Sequence, residues 1–290
     1  MEFATEDDAR NYSVGVTAKH IHPDDIHRRL DEYKSYLASA RDENKVYWQE
    51  EVNRLEEWIN SDEFINREYP RGIDELVLEL IEWRAAIYAF QKVDTKNNPF
   101  KKHAFYAQWL VGGTYTIFCL LGKLVSKDSR DNSLRQHWDM VSRYVAQSGL
   151  CGETEIEFIN SRMHRTQGQF TNENSQAMKY RNKVIAHNES LPGMEWDELD
   201  KDIELISRMW SLITMWSSFG LIEPFRKAEL VFSGTESVFT NEEIRLLKEQ
   251  RDNYLSKVKF WCTRCIETGD RVVNRSPFGK FSISISVDGK

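Results

Sequence analysis

The feature that most restricts the fold is a succession of long apolar stripes with helical spacing, separated by short polar breaks. Residues 73 to 93 place Leu76, Leu80, Trp83, Ile87 and Phe90 on one stripe. Residues 133 to 148 do the same with Leu134, Trp138, Val141 and Val145, and residues 196 to 221 with Leu199, Ile203, Ile206, Trp210 and Ile213. Apolar residues three and four apart share one face of a helix, whereas a half-buried strand would alternate with period two. Only six prolines in 290 residues interrupt this pattern, and proline is the residue that most firmly ends a helix. The expected fold class is therefore all-α, a helical bundle.

The remaining segments divide the chain in three. In residues 1–66, Ile26, Leu30, Tyr33 and Leu37 continue to Trp48, Val52, Leu55 and Ile59 with 4-3-4 spacing. Ile26, Leu37, Trp48 and Ile59 are eleven apart, which suits a long, nearly straight helix. The stripe passes through Arg41 and Asn44, where a bend or hairpin turn fits, and the segment reads as an N-terminal helical arm. Residues 67–223 form the bundle. Pro70 and Gly72 precede it, Asn98 suits an N-cap with Pro99 at the first helical position of an apolar helix to residue 125, and Glu223-Pro224 closes it. Within it, residues 149 to 173 read as a loop or broken helix, and a helix from about 174 to 187 ends before Leu191-Pro192-Gly193. Residues 224–290 are a C-terminal extension, where Thr240 and Glu243 form a capping box that opens a helix to about Phe260. Beyond it, Phe281, Ile283, Ile285 and Val287 alternate as in a strand, and residues 271 to 273 can pair with them as a short β-hairpin across residues 276 to 279.

Composition excludes several function classes. A net charge of −7 argues against a surface that coats nucleic acid. Residues 160 to 187 run the other way, with Arg162, Arg165, Lys179, Arg181 and Lys183 against Glu173 alone, a net of +4. That local excess attracts phosphates. Four scattered cysteines favour a reducing, cytoplasmic setting over a disulfide framework, and the acidic start of the chain carries no secretory signal. Residues 109 to 125 are short and polar for a membrane span, so no membrane association is expected. No Gly-rich phosphate loop or serine elbow is present. Cys262 and Cys265 form a Cys-x-x-Cys without a second ligand pair or a strand-to-helix setting, and His20, His22 and His27 lack helical ligand spacing, so no metal and no cofactor is expected.

The stretch Lys179-Tyr180-Arg181-Asn182-Lys183-Val184-Ile185-Ala186-His187-Asn188 carries the chemistry. At about 100° per residue, Arg181 falls among Ala177, Met178, Val184 and Ile185 on the apolar face, and His187 lies roughly 120° round and about 9 Å along. One straight helix does not bring the two together. Structurally, Arg181 would be a core-edge cation paired with an acid on a neighbouring helix, and His187 a helix-terminal imidazole suited to the dipole. Functionally, the cation and a side chain that titrates near neutrality await an anion such as a phosphate.

Arg181-Asn182-x-x-x-x-His187, on the penultimate helix of a bundle, resembles the Arg-x(4 to 6)-His signature of the HEPN superfamily, with wording similar to its abortive-infection branch. The helix order over residues 70 to 222, about half the chain, resembles that family too; the N-terminal arm and the tail are extra. The resemblance implies a homodimer and a metal-independent endoribonuclease of the toxin–antitoxin or antiphage-defence kind, acting on RNA and with an antitoxin or other protein partner. It also implies a composite site across the two-fold, where two motif helices bring Arg181 and His187 together. In such a site the substrate 2′-OH is the nucleophile, His187 moves the proton and Arg181 holds transition-state charge. Asn182 orients a phosphate oxygen or the imidazole, while Lys183, Lys179, Arg165 and Arg162 bind the substrate backbone. The reading from another class is a non-catalytic helical scaffold that binds nucleotide, RNA or protein and uses the same Arg and His structurally.

Overall fold

The computed structural model describes residues 3–17, 23–65, 72–96, 99–128, 130–187, 189–190, 193–218, 225, 228–264, 273–276 and 279–282. It is all-α apart from one β-hairpin. The helices are α1 (Glu6–Thr17), α2 (Pro23–Ser39), α3 (Asp42–Ile59), α4 (Asp62–Ile65), α5 (Ile73–Lys92), α6 (Pro99–Lys102), α7 (Ala104–Leu124), α8 (Leu134–Gln147), α9 (Glu153–Met163), α10 (Gln176–Tyr180), α11 (Trp196–Ser218), α12 (Ala228–Val231) and α13 (Asn241–Arg264). A π-helical turn, Arg181–Ile185, directly continues α10.

The expected stripes are the core. Leu76, Leu80 and Ile87 of α5, Leu134, Trp138, Val141 and Val145 of α8, and Leu199, Ile203, Ile206, Trp210 and Ile213 of α11 are all buried in one cluster with Ile117, Phe118 and Leu121 of α7. Helix α5 lies between α7 and α13, and α11 packs on α13, α8 and α1. By length and composition α7 is the one helix among the described residues that could cross a membrane. Its C-terminal half, from Gly113 through Leu124, is instead largely buried in the bundle.

Both flanking regions contribute to this bundle. Helix α1 opens with Thr5 and Asp8 exchanging side-chain-to-backbone hydrogen bonds of 3.1 Å, a capping arrangement. It then buries Ala9 and Ser13 completely, and Ser13 Oγ meets His137 Nε2 at 2.8 Å. In α13 the capping box forms as expected, Glu243 Oε2 accepting from the Thr240 N–H at 2.7 Å, and Glu243 Oε1 also accepts from the Lys96 N–H at 2.8 Å. Leu247, Leu255, Val258 and Trp261 bury the inner face of α13. At roughly 1.5–3 kcal/mol for each such side chain, α13 is a structural member of the bundle rather than an appendage. Two buried ion pairs pin it and α11 to α5: Arg84 bonds both oxygens of Asp200, at 2.8 and 3.1 Å, and Arg251 Nη2 bonds Glu82 Oε2 at 2.7 Å.

The arm is a helical hairpin, not one straight rod. Helices α2 and α3 pack on each other and part at Ala40 and Arg41, where the stripe is weakest. Tyr33 and Tyr36 close on Trp48 at ring distances of 5.4 and 5.0 Å, and Lys34 pairs with Glu56 at 2.8 Å. In the tail, β1 (Val273–Ser276) pairs antiparallel with β2 (Gly279–Ser282), Val273 opposite Ser282. Of the alternating stretch 281 to 287, residues 281 and 282 are the described part, and they lie opposite Asn274 and Val273. The Pro70 break, the Asn98 cap, Leu191-Pro192, Glu223-Pro224, His20, His22, Cys265, Arg271, Ile283, Ile285 and Val287 lie outside the described residues.

Candidate functional site

Local sequence builds the motif element in two parts. Ser175 is its N-cap, the hydroxyl accepting from the Met178 N–H at 2.9 Å, and Ala177 and Met178 are buried. The α-helix expected through residue 187 ends at Tyr180. From Arg181 the backbone widens into the π turn, so that the Ala186 N–H reaches the Arg181 carbonyl, at 3.0 Å. The Glu189 N–H then bonds the Lys183 carbonyl at 2.8 Å and ends the element. A π turn carries one more residue per closed ring than an α turn and is found mostly at functional sites. It also invalidates the 100° wheel beyond Arg181, because each residue after the widening is rotated off the α register.

Arg181 is half-buried and lies along α7. A methyl group on Gly122 would sit 2.8 Å from its Nε and 2.9 Å from Nη2, so the helix accepts the guanidinium only because residue 122 has no side chain. Arg181 Nη1 donates to Asn182 Oδ1 at 2.8 Å, and Asn182 Nδ2 donates to Asn172 Oδ1 at 2.8 Å. The Asn182 amide thus accepts through its oxygen and donates through its nitrogen, so the chain from Arg181 to Asn172 has one direction. Among the described residues no carboxylate pairs with Arg181. The acid on a neighbouring helix, required by the structural reading, is not found among the described residues.

The other expected residues spread over two sides of this centre. Lys183 turns to Glu189 at 2.9 Å, which neutralises it locally. His187 is exposed, and among the described residues nothing bonds its ring to Arg181. Lys179 is exposed on α10. Arg162 Nη1 donates to Gln169 Oε1 at 2.8 Å, beside a cleft of about 170 Å³ lined also by Phe158, Lys201, Glu204 and Arg208. That cleft is small for an organic ligand. Arg165 is exposed, and its carbonyl accepts from Lys127 Nζ. Cys262 is buried, its thiol 3.5 Å from the Ser207 carbonyl and pushed up to about 12 by burial, which leaves no reactive thiolate there.

Several supporting residues carry no motif signal. Asp202 is fully buried under α10 and accepts hydrogen bonds from Ser175 Oγ and, at 2.8 Å, from Gln169 Nε2. Burial pushes its carboxyl up to about 6 against the opposing pull of those two bonds. The cap of the motif element is thus tied to α11 and to the loop that follows α9. That loop closes through Gly168, where an added methyl would come within 2.3 Å of the Arg162 and His164 carbonyls. Spacing could have flagged Ser175 as a cap; Gly122, Asn172 and Asp202 are recognisable only through contacts distant in sequence.

No protein-family model, curated protein or solved structure matches the chain. The geometry of the motif therefore stands as the basis for a functional reading.

Proposed function

We propose that the protein is a metal-independent endoribonuclease of the HEPN type, cytoplasmic and active as a homodimer in toxin or antiphage-defence systems. The observation that carries the reading is Arg181: a half-buried guanidinium, fitted against a glycine, oriented by Asn182 and lacking a carboxylate partner among the described residues. A cation held this way keeps its bidentate fork for an incoming phosphate. Cleavage by the substrate's own 2′-OH then requires a proton acceptor and donor, the role of His187, and charge compensation on the phosphorane-like transition state, the role of Arg181.

His187 and Arg181 meet through a second copy of the chain. Helix α7 supports this, because Phe105, Val111, Tyr115 and Cys119 are exposed on one face of it. At about 100° per residue that face leads along the helix to the side of Gly122 on which Arg181 lies. Burying an apolar face of this kind around a two-fold places the two motif elements side by side. The exposure of His187 favours the scaffold reading only if no such dimer forms. The test uses purified protein, labelled single-stranded RNA and excess chelator. Fragments ending in cyclic phosphate, lost in His187→Ala and in a Tyr115→Glu variant that light scattering shows to be monomeric, are the expected result; RNA left intact by the dimeric wild type at every condition rejects the enzyme.

A further inference from the structure

Arg135, at the start of α8, is an anomaly on electrostatic grounds. The residue is 1 % exposed, and its Nε, Nη1 and Nη2 are all buried without a hydrogen-bond partner. The Phe170 ring lies 5.9 Å from its Cζ. An unpaired buried charge is among the costliest features a protein can hold. Here two further features add to the cost. The side chain lies in the first turn of α8, where the helix dipole is positive. Lys127 Nζ reaches the Arg165 carbonyl on the same side of the molecule. Burial pulls both the Lys127 ammonium and the Arg135 guanidinium down from their ordinary ranges, Arg165 adds to both shifts, and Arg135 adds to that of Lys127. The nearby carboxylates, Asp139 and Glu173, oppose this but stay exposed and make no ion pair with the cluster among the described residues.

The geometry points to a phosphate-binding site formed by Arg135, Lys127 and Arg165, between the start of α8 and the loop that follows α9. A phosphoryl group supplies what the cluster lacks: a compact double or single negative charge with several acceptor oxygens for guanidinium and ammonium donors. Arg165 is exposed and marks the side from which the anion enters. The same loop reaches the motif, since Asn172 is the acceptor for Asn182. Lys127 follows Gly122, the seat of Arg181, by five residues. The site is thus placed to take a further backbone phosphate of the polynucleotide that Arg181 engages. This last assignment rests on the ribonuclease reading, whereas the anion site itself does not.

The probe is inorganic phosphate, titrated against full-length protein at constant ionic strength with chloride as the control, and read by thermal unfolding. The expected result is a saturable rise in Tm with phosphate and none with chloride. Lys127→Gln and Arg165→Gln, both surface changes, should each weaken the midpoint by about tenfold, the equivalent of one charged hydrogen bond. Arg135→Met should melt no lower than the wild type without phosphate, because it removes an unpaired charge, and should no longer respond to phosphate. An Arg135→Met protein that melts far below the wild type, or a wild type indifferent to phosphate, overturns the site. Single-stranded RNA forms the second arm: each of the two surface variants should lower the slope of log affinity against log salt by about one. Arg181→Ala protein separates this from the activity. If it keeps the phosphate response but cleaves nothing, the anion site stands independently of the enzyme; if the wild type cleaves RNA while neither phosphate nor Arg135→Met has any effect, the site falls and the enzyme remains. A phosphate response with unchanged RNA salt slopes assigns the site to a free phosphorylated ligand and removes the polynucleotide assignment.

Discussion

Arg181 and Arg251 show how differently two guanidiniums in one bundle are treated. Arg251 is buried against Glu82, and removing it abandons a carboxylate, which costs roughly 3–5 kcal/mol. Among the described residues, loss of Arg181 abandons only the Asn182 amide. Arg181→Ala should therefore stay folded within about 1 kcal/mol of the wild type by urea denaturation, while RNA cleavage falls by about 100-fold or more. Arg181→Lys should recover little of the loss, since a point charge does not reproduce a planar fork. A strongly destabilised Arg181→Ala protein is the outcome that removes Arg181 from the site. The identity of this residue was legible in the sequence because a cation on an apolar face stands out. Its lack of an acid was not, since a pairing partner is chosen by packing between helices that no local pattern describes.

At the scale of the element, α7 carries one substitution with two opposite consequences. At Gly122 an added methyl meets the flexible end of Arg181, at 2.8 Å; at Gly113 it meets the Trp83 ring, at 2.5 Å. The ring is itself packed against Trp109, with centroids 5.2 Å apart, which resists its displacement. Gly122→Ala should be neutral or gain up to about 1 kcal/mol of helix propensity, yet lose cleavage by about tenfold or more as the guanidinium is displaced. Gly113→Ala should cost about 1–3 kcal/mol through overpacking and leave the intrinsic cleavage of the folded fraction unchanged. Melting curves and cleavage rates on the pair decide whether Gly122 is a seat for Arg181 or only a helical glycine. Stripes such as Leu134, Trp138, Val141 and Val145 declared their helices because burial repeats with the helical period. The π turn did not declare itself, since widening a ring costs local hydrogen-bond geometry that only tertiary contacts with α7 repay.

At the scale of the whole molecule, two buried groups among the described residues, Asp202 and His137, contribute to the pH dependence of stability with opposite signs. The Asp202 carboxyl, pushed up to about 6, is protonated more readily in the fold than in the unfolded chain, so stability falls as pH rises from about 4 to about 6. His137, buried and held down to about 4, binds its proton less readily in the fold, so stability falls as pH drops from about 6.5 to about 4. Each effect is on the order of 3 kcal/mol, and across the shared window they nearly offset. Asp202→Asn should expose the His137 slope, stability climbing between pH 4.5 and 6.5, and His137→Gln should expose the falling slope of Asp202, which Asp74, raised by burial, reinforces. Urea midpoints at four pH values check both signs. The stripes foretold a bundle, but not that α1 and α13 close it, because a sequence does not state which faces will meet across so many residues. Glu82 of α5 and Arg251 of α13 are 169 positions apart. During synthesis at 5–20 residues per second, the face of α5 that α13 covers stays uncovered for on the order of 10–30 s after it leaves the ribosome. Until then the nascent chain presents an open apolar groove, which makes it a client for whatever holds unfinished proteins in solution.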